Sequence, residues 1–360
     1  MSRFTQHASE IAKPHSRTYN VKLFRRSPWQ CIHLVMKPPA ILTPKRSILV
    51  LAFLLLIVVV QLSVYQVRLR SSSTRCSATS KAVRFEYVTR VARPCERTTN
   101  RTTVLIGVTS SVDHFESRAA IRDTWGGTAV RMGFVVVFLL GATLDQKVQR
   151  KVLAEHEIHG DVVQGDFVDS YDNLTYKTVM LIRWAREECS KTEFVLKIDD
   201  DMILSVWDLA VVVNGLGETK RSMWGYLYTN GKPNRNVASK WYVSREKYAP
   251  DTYPDFLSGT GYLISGDAIS ALDDVIYDEC FFPLEDIYLT AIVAERAQVS
   301  RLRLDGFSNE HNWYYQPCSN PRVVTSHGWS PKALRDEWRR AVDRLNFSLC
   351  VGIKHHQMVS

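Results

Sequence analysis

The chain has 360 residues, 45% of them hydrophobic and 23% charged, with a formal net charge of +9. That length supports one large domain or two small ones around a proper core. The charge does not describe a nucleic-acid surface, because it is local: residues 1–46 hold nine Lys and Arg against Glu10 alone, and the remainder is nearly neutral.

Ile48 to Val67 carries no charge and only Gln61, Ser63 and Gln66 as plainly polar breaks. Twenty such residues match the length of a helix crossing a bilayer core. The run begins too far into the chain for a typical cleaved signal peptide. The basic side belongs in the cytosol by the positive-inside rule, which puts the bulk of the chain in a lumen. Six cysteines follow the span (Cys76, Cys95, Cys189, Cys280, Cys318 and Cys350). An even number in an oxidising compartment allows up to three disulfides, with fifteen pairings open, and none of the spacings is that of a structural zinc site. Sequons at Asn100, Asn173 and Asn346 all fall on this side as candidate glycosylation sites. Ser71 to Arg101 lacks sustained apolar periodicity and reads as a stem.

Periodicity starts at Thr103. Apolar runs at Val104–Val108, Val135–Leu140 and Val162–Val168 predict buried strands, with helices over Gln146–His156 and Thr178–Glu188. Strand and helix alternation predicts an α/β domain with a mostly parallel sheet covered on both faces, which binds ligands at the carboxyl ends of its strands. Phe194–Ile198 is the strand that delivers Asp199, Asp200 and Asp201 to such an end. Three adjacent carboxylates repel one another, and a hard divalent cation such as Mg²⁺ or Mn²⁺ would relieve them. The alternative is an acidic turn in which Asp201 caps a helix over Ser205–Val213.

The second half is richer in turns and aromatics. Met223–Tyr228, residues 241–244 and Tyr262–Ser265 are strand-like, and Ser258–Tyr262 is either a turn or a place of close backbone approach to a ligand. Trp224, Tyr226, Tyr228, Trp241, Tyr242 and Tyr253 are core residues or sugar-stacking faces. Glu285 and Asp286 precede a helical run over Ile287–Arg296, where carboxylates favour the helix dipole without any further role. Ser330 and Pro331 open a strongly periodic helix through Leu345, and His327 stands just before it.

Six stretches in order carry a resemblance: ESRAAIRDTWG at 116–126, VVFLLG at 136–141, GDFVDSYDNLTYKT at 165–178, FVLKIDDDM at 194–202, YPDFLSGTGYLIS at 253–265 and PLEDIYLT at 283–290. Together they are similar to the luminal β1,3-glycosyltransferases that include the β1,3-galactosyltransferases. The resemblance departs at Ile287, Leu289 and Thr290, where the family pattern has valine and then a small residue. It implies a GT-A fold, an inverting transfer from a UDP-sugar, UDP-galactose first among them, held through Mn²⁺, and a Golgi membrane protein of type II. It implies Asp286 as catalytic base. Asp201, Asp199 and His327 are implied metal ligands, and Arg118, Arg122, Asp123, Asp199 and Asp200 hold the donor. Trp224, Tyr242, Gly259, Gly261 and Glu285 are expected around the acceptor, a glycan on a glycoprotein or glycolipid. The expected organisation is a cytosolic tail over 1–46, an anchor over 47–67, a stem over 68–102, a catalytic domain over 103–350 and a tail over 351–360. A homodimer is compatible with this plan, and nucleic acid is not an expected partner. Transfer of N-acetylglucosamine or N-acetylgalactosamine is the alternative within the enzyme class, and a non-catalytic membrane lectin or chaperone is the alternative outside it.

Overall fold

Val104–Thr109 is buried at all six positions, as a strand covered on both faces must be. In the computed structural model this strand lies inside an eight-stranded sheet. The structure describes residues 53–61, 63, 83–97, 104–217, 220–311 and 323–347. The chain divides into two units, Met1–Arg68 and Leu69–Ser360. In the first, residues 53–61 are helical and Phe53, Leu55 and Leu56 are exposed. The expected anchor runs through residues outside the described set, and no helix among the described residues is long and apolar enough to cross a membrane.

In the second unit the elements in chain order are β1 (Tyr87–Thr89), β2 (Val104–Thr109), α1 (Phe115–Asp123), α2 (Trp125–Arg131), β3 (Val135–Ala142), α3 (Gln146–His159) and β4 (Val162–Val168). They continue with α4 (Leu174–Glu188), β5 (Phe194–Asp199), β6 (Met202–Leu204), α5 (Val206–Leu216), β7 (Ser222–Tyr228), β8 (Phe256–Ser265) and α6 (Gly266–Ile276). Last come α7, a π-helical stretch Ile287–Val293 continued by Ala294–Arg296, then β9 (Ser300–Arg303), β10 (Thr325–His327) and α8 (Pro331–Phe347). The main sheet runs β1-β4-β3-β2-β5-β8-β7-β9. The β4-β3-β2-β5 block is parallel, as the strand and helix alternation predicts. β8 then enters antiparallel to β5, with Ile198 opposite Gly261. This reversal carries the first residues of β8 past the carboxyl end of β5 and so brings Ser258 and Gly259 to the three aspartates.

Alternation along β5 divides its side chains between two cores. Phe194, Leu196 and Ile198 join Ile121, Trp125, Leu209 and Trp338 on one face. Val195 joins Met180, Trp184, Leu272 and Leu289 on the other. Lys197 and Asp199 follow Val195 by steps of two and therefore share its face. On the first face Trp207 stacks on Trp338 with centroids 4.9 Å apart, fastening α5 to α8.

Several elements differ from the sequence reading. Part of the expected stem is folded: Val83 and Phe85 are buried, β1 pairs antiparallel with β4, and Cys95 is disulfide-bonded to Cys189 at the end of α4. Its apolar residues are too few and too scattered to show a period, so only the tertiary contacts define it. Residues 241–244 form no strand; Tyr242 makes an isolated bridge to Asn234. The sequence predicts no helix at α6, because Gly266 and Asp267 look like a turn. The helix after β6 is capped by Ser205, whose Oγ accepts from the Asp208 N–H, so Asp201 is free of that duty.

Candidate active site

The end of β5 gives each aspartate its own partner. Lys197, 2% exposed, donates to Asp199 Oδ1 at 2.6 Å and also to the Gly259 carbonyl. Thr109 Oγ1 donates to the same Asp199 oxygen at 2.5 Å. Asp200 Oδ2 accepts from Ser110 Oγ at 2.6 Å and lies 2.9 Å from His114 Nδ1. Asp201 Oδ2 lies 3.1 Å from His327 Nε2. The short antiparallel pair of β6 and β10, with His327 opposite Met202, is what brings that histidine 126 positions along the chain back to Asp201.

Much of the mutual repulsion expected among the aspartates is thus relieved by the protein's own cations. Burial works to lower the Lys197 pKa, but Asp199 and then Glu285 outweigh it and hold the ammonium protonated. The His327 pKa is raised by its hydrogen bond to Asp201, against burial, and that of His114 is raised by its hydrogen bond to Asp200. One atom is left over: Asp201 Oδ1 is buried and has no hydrogen-bond partner.

A cavity of about 790 Å³ opens here. Lys197, Asp199, Asp201 and His327 line it together with Gly259, Glu285, Asp286 and Ile287. Tyr171, Lys240, Trp241 and Tyr253 also contribute to the wall. Glu285 is 6% exposed and held by Thr178 Oγ1 at 2.8 Å and Tyr262 OH at 2.5 Å, with Lys197 Nζ at 3.7 Å. Burial, followed by the Glu285 charge, pushes the Tyr262 phenol well up, so it stays a donor.

Asp286 caps the following helix, as its sequence position allows, and lines the cavity as well. Its Oδ1 accepts from the Ile287 N–H at 2.8 Å. Burial, then repulsion from Glu285, raises its pKa to about 6, with the Ile287 N–H and Lys197 pulling the other way. The chain then enters a π-helical turn, a widening often found at functional sites. Thr290, a departure from the family pattern, has a clear task there. Its Oγ1 donates to the Asp286 carbonyl at 2.6 Å and accepts from the Leu257 N–H at 2.9 Å, fixing the π turn to β8. Gly259 is needed close by: a Cβ there would lie 3.3 Å from both Asp286 Cβ and Glu285 Oε2.

Other expected site residues lie elsewhere. Arg118 is fully buried and donates to Glu155 through Nε and Nη2, and to Ser110 Oγ and the Ser111 and Val112 carbonyls. It reaches Asp200 only through Ser110 and does not line the cavity. Arg122 is engaged by Asp161 and Glu155, and Asp123 by Arg335. The charges of these three are met within the fold, and none of them is in the cavity lining. Trp224 is 3% exposed and packs on Phe194, so it is core rather than acceptor wall. Tyr242 is exposed outside the lining, Gly261 faces Lys197 and Ile198 within the sheet, and Asp200 is turned to Ser110 and His114. Asn173 is half-buried and its amide donates to the Val168 carbonyl. Asn100 and the side chain of Asn346 lie outside the described residues.

Among the described residues no group of three or more His, Cys, Asp or Glu side chains is arranged to hold a metal ion. A two-residue set does fit one. Asp201 offers an orphaned carboxylate oxygen and His327 an imidazole, a donor pair that suits Mn²⁺. Asp199 is less available, because Lys197 and Thr109 both occupy its Oδ1.

Comparison with known proteins gives this site its class. The galactosyltransferase family model matches residues 116–305, more than half of the chain. Beta-1,3-galactosyltransferase 5 of Homo sapiens is 36% identical over 239 residues, which is 64% of this chain and 76% of that protein. Beta-1,3-galactosyltransferase 1 of Mus musculus is 33% identical over 258 residues, covering 71% of this chain and 78% of the relative. Solved structures with looser likeness include a glycosyltransferase involved in glycosylation of the major capsid of PBCV-1, at TM-score 0.37 and 11% identity over 66% of this chain and 99% of its own. A galactosyltransferase in complex with donor and acceptor sugar analogues matches at TM-score 0.33 and 10% identity over 70% and 98%. The protein is a hexosyltransferase. It belongs to the β1,3-galactosyltransferase-like family of glycosyltransferases.

Proposed function

We propose that the protein is an inverting β1,3-galactosyltransferase that moves galactose from UDP-galactose to the 3-hydroxyl of an acceptor sugar on a glycoprotein or glycolipid. The observation that carries this reading is that one cavity is lined both by the Asp201–His327 pair and by Asp286. Inversion in one step requires a leaving-group site and a base on opposite sides of the reacting carbon. Asp286, raised to about 6 and free of any salt bridge among the described residues, takes the proton of the attacking hydroxyl. The acceptor oxygen forms its bond to the anomeric carbon as the bond to the diphosphate breaks, and the electron pair leaves with the nucleotide. Glu285 is fixed by Thr178, Tyr262 and Lys197, so its charge raises the basicity of Asp286 and its position holds the turn.

Asp201 and His327 are the residues that hold Mn²⁺ in this reading, with Asp199 beside them facing the nucleotide. When bound, the ion supplies Lewis-acid neutralisation of the departing diphosphate. The β5 end of the mostly parallel sheet is read as the donor half of a GT-A arrangement. The chain is anchored as a type II Golgi membrane protein by 47–67, with the basic tail in the cytosol. The test is transfer by the soluble fragment from about Arg75, offered UDP-galactose, UDP-N-acetylglucosamine or UDP-N-acetylgalactosamine with a panel of acceptors, with Mn²⁺ and with a chelator. Galactose transfer abolished by chelation supports the reading. Transfer of either N-acetylated sugar instead reassigns the donor, and metal-independent transfer removes the ion.

A further inference from the structure

The cavity has a lysine that no ion pair claims. Lys240 lines it from the connection between β7 and β8, and among the described residues no carboxylate salt-bridges to it. Its ammonium nitrogen instead stands 4.6 Å from the centroid of the Trp241 ring and 5.6 Å from that of Tyr171. Both rings are about half exposed and both line the cavity. They come from distant parts of the chain, Tyr171 from the 3-10 turn after β4 and Trp241 from the β7–β8 connection. Aromatic faces hold a cation without neutralising it, so Lys240 keeps its charge for a ligand.

Its position says which part of a ligand it meets. Lys240, Tyr171 and Trp241 line the same cavity as Asp199, Asp201, His327 and Asp286. The cluster therefore shares one cavity with both the Asp201–His327 pair and the proposed base. Lys197 is already engaged by Asp199 and the Gly259 carbonyl. Arg118 and Arg122 are engaged by Glu155 and Asp161, away from the lining. Lys232, the third lysine in the lining, has no aromatic ring against its ammonium among the described residues. The connection that carries Lys240 is itself tied down: Arg235 donates to the carbonyls of Val243, Tyr248 and Pro250.

We propose that Lys240, seated between Tyr171 and Trp241, is the protein's own cation for the diphosphate of a nucleotide-sugar donor. The proposal rests on the donor reading above and adds a specific group to it. As the bond from the anomeric carbon to the diphosphate oxygen breaks, the leaving group gains negative charge. An ammonium at that place binds the product-like charge more strongly than the intact donor and so favours departure.

The test compares UDP with UMP. Calorimetry on the soluble protein with Mn²⁺ present gives both affinities for wild type, Lys240→Met and Lys240→Arg. Lys240→Met is expected to weaken UDP about tenfold, the scale of one hydrogen bond to a charged group, and to leave UMP within about twofold. Lys240→Arg is expected to keep most of the UDP affinity, and the acceptor KM should not move in either variant. An unchanged UDP affinity in a folded Lys240→Met protein overturns the proposal, as does a rise confined to the acceptor KM, which would place the lysine on the acceptor. If wild type binds neither UDP nor UMP, the donor reading itself fails and takes the proposal with it. Should Lys240→Met fail to fold, Lys240→Gln and the salt dependence of UDP binding in wild type serve instead. An affinity that Lys240→Gln and added salt leave unchanged is equally adverse.

Discussion

Two clusters of adjacent carboxylates face one cavity, and their surroundings make them chemically different. At the end of β5 each aspartate has a close cationic partner or hydrogen-bond donor, Lys197 and Thr109 on Asp199, Ser110 and His114 on Asp200, and His327 on Asp201. At the turn before α7, Glu285 takes the donors and Asp286 is left with one backbone N–H and a pKa pushed up to about 6. The same residue type is thus met at one place by cations and hydroxyl donors, and left at the other to accept a proton near neutral pH. Lys197 joins the two, since it touches Asp199 and stands 3.7 Å from Glu285.

The largest effect is expected at the turn before α7. Asp286→Asn should lower kcat by about three orders of magnitude, the scale of a lost general base, while the variant melts near the wild-type temperature. Lys197→Met leaves Asp199 and Glu285 without their shared cation. Removing one partner of a buried ion pair costs about 3–5 kcal/mol, so this variant should show a lower unfolding midpoint in denaturant together with lost turnover. A Cys95→Ser variant should lose about 2–5 kcal/mol, because the bond closes a long loop between the segment before β2 and α4. Denaturant melts read at α4 would show it, and activity at low temperature should survive.

A smaller and sharper effect concerns pH. A base acts only when deprotonated, so kcat/KM should fall about tenfold for each unit below pH 6 and level off above it. Glu285→Gln removes the neighbouring charge that raises Asp286, so its acid limb should move to lower pH. An upward movement in a steady-state pH profile would mean that Glu285 acts chiefly through the hydrogen bonds it accepts.

Much of this site was legible in the sequence because its polar residues sit at the ends of apolar runs. Asp199 to Asp201 follow the apolar run Phe194–Ile198, and Asp286 opens a helical run, so the elements themselves announce the positions. Lys197 is legible on the same grounds. It stands two residues before Asp199, and period two puts both on one face, where a buried ammonium is the simplest answer to a buried carboxylate. The resemblance pointed to His327, yet only the β6–β10 pairing explains its approach to Asp201. For Arg118 and Arg122, a helical spacing of four says that two side chains share a face, not whether that face meets solvent or Glu155. The role of 83–97 was hidden for another reason: β1 is three residues long, and its stability comes from β4 and a disulfide far along the chain. The Lys240 seat depends on Tyr171 arriving from 69 positions upstream, a juxtaposition that no local pattern encodes.

The most direct test of the division between the two clusters sets turnover against UDP affinity in Asp286→Asn and Asp201→Asn, with Mn²⁺ saturating. The account predicts that turnover collapses in both while UDP binding weakens only in Asp201→Asn. Wild-type turnover in Asp286→Asn, or UDP affinity lost equally in the two variants, would contradict it.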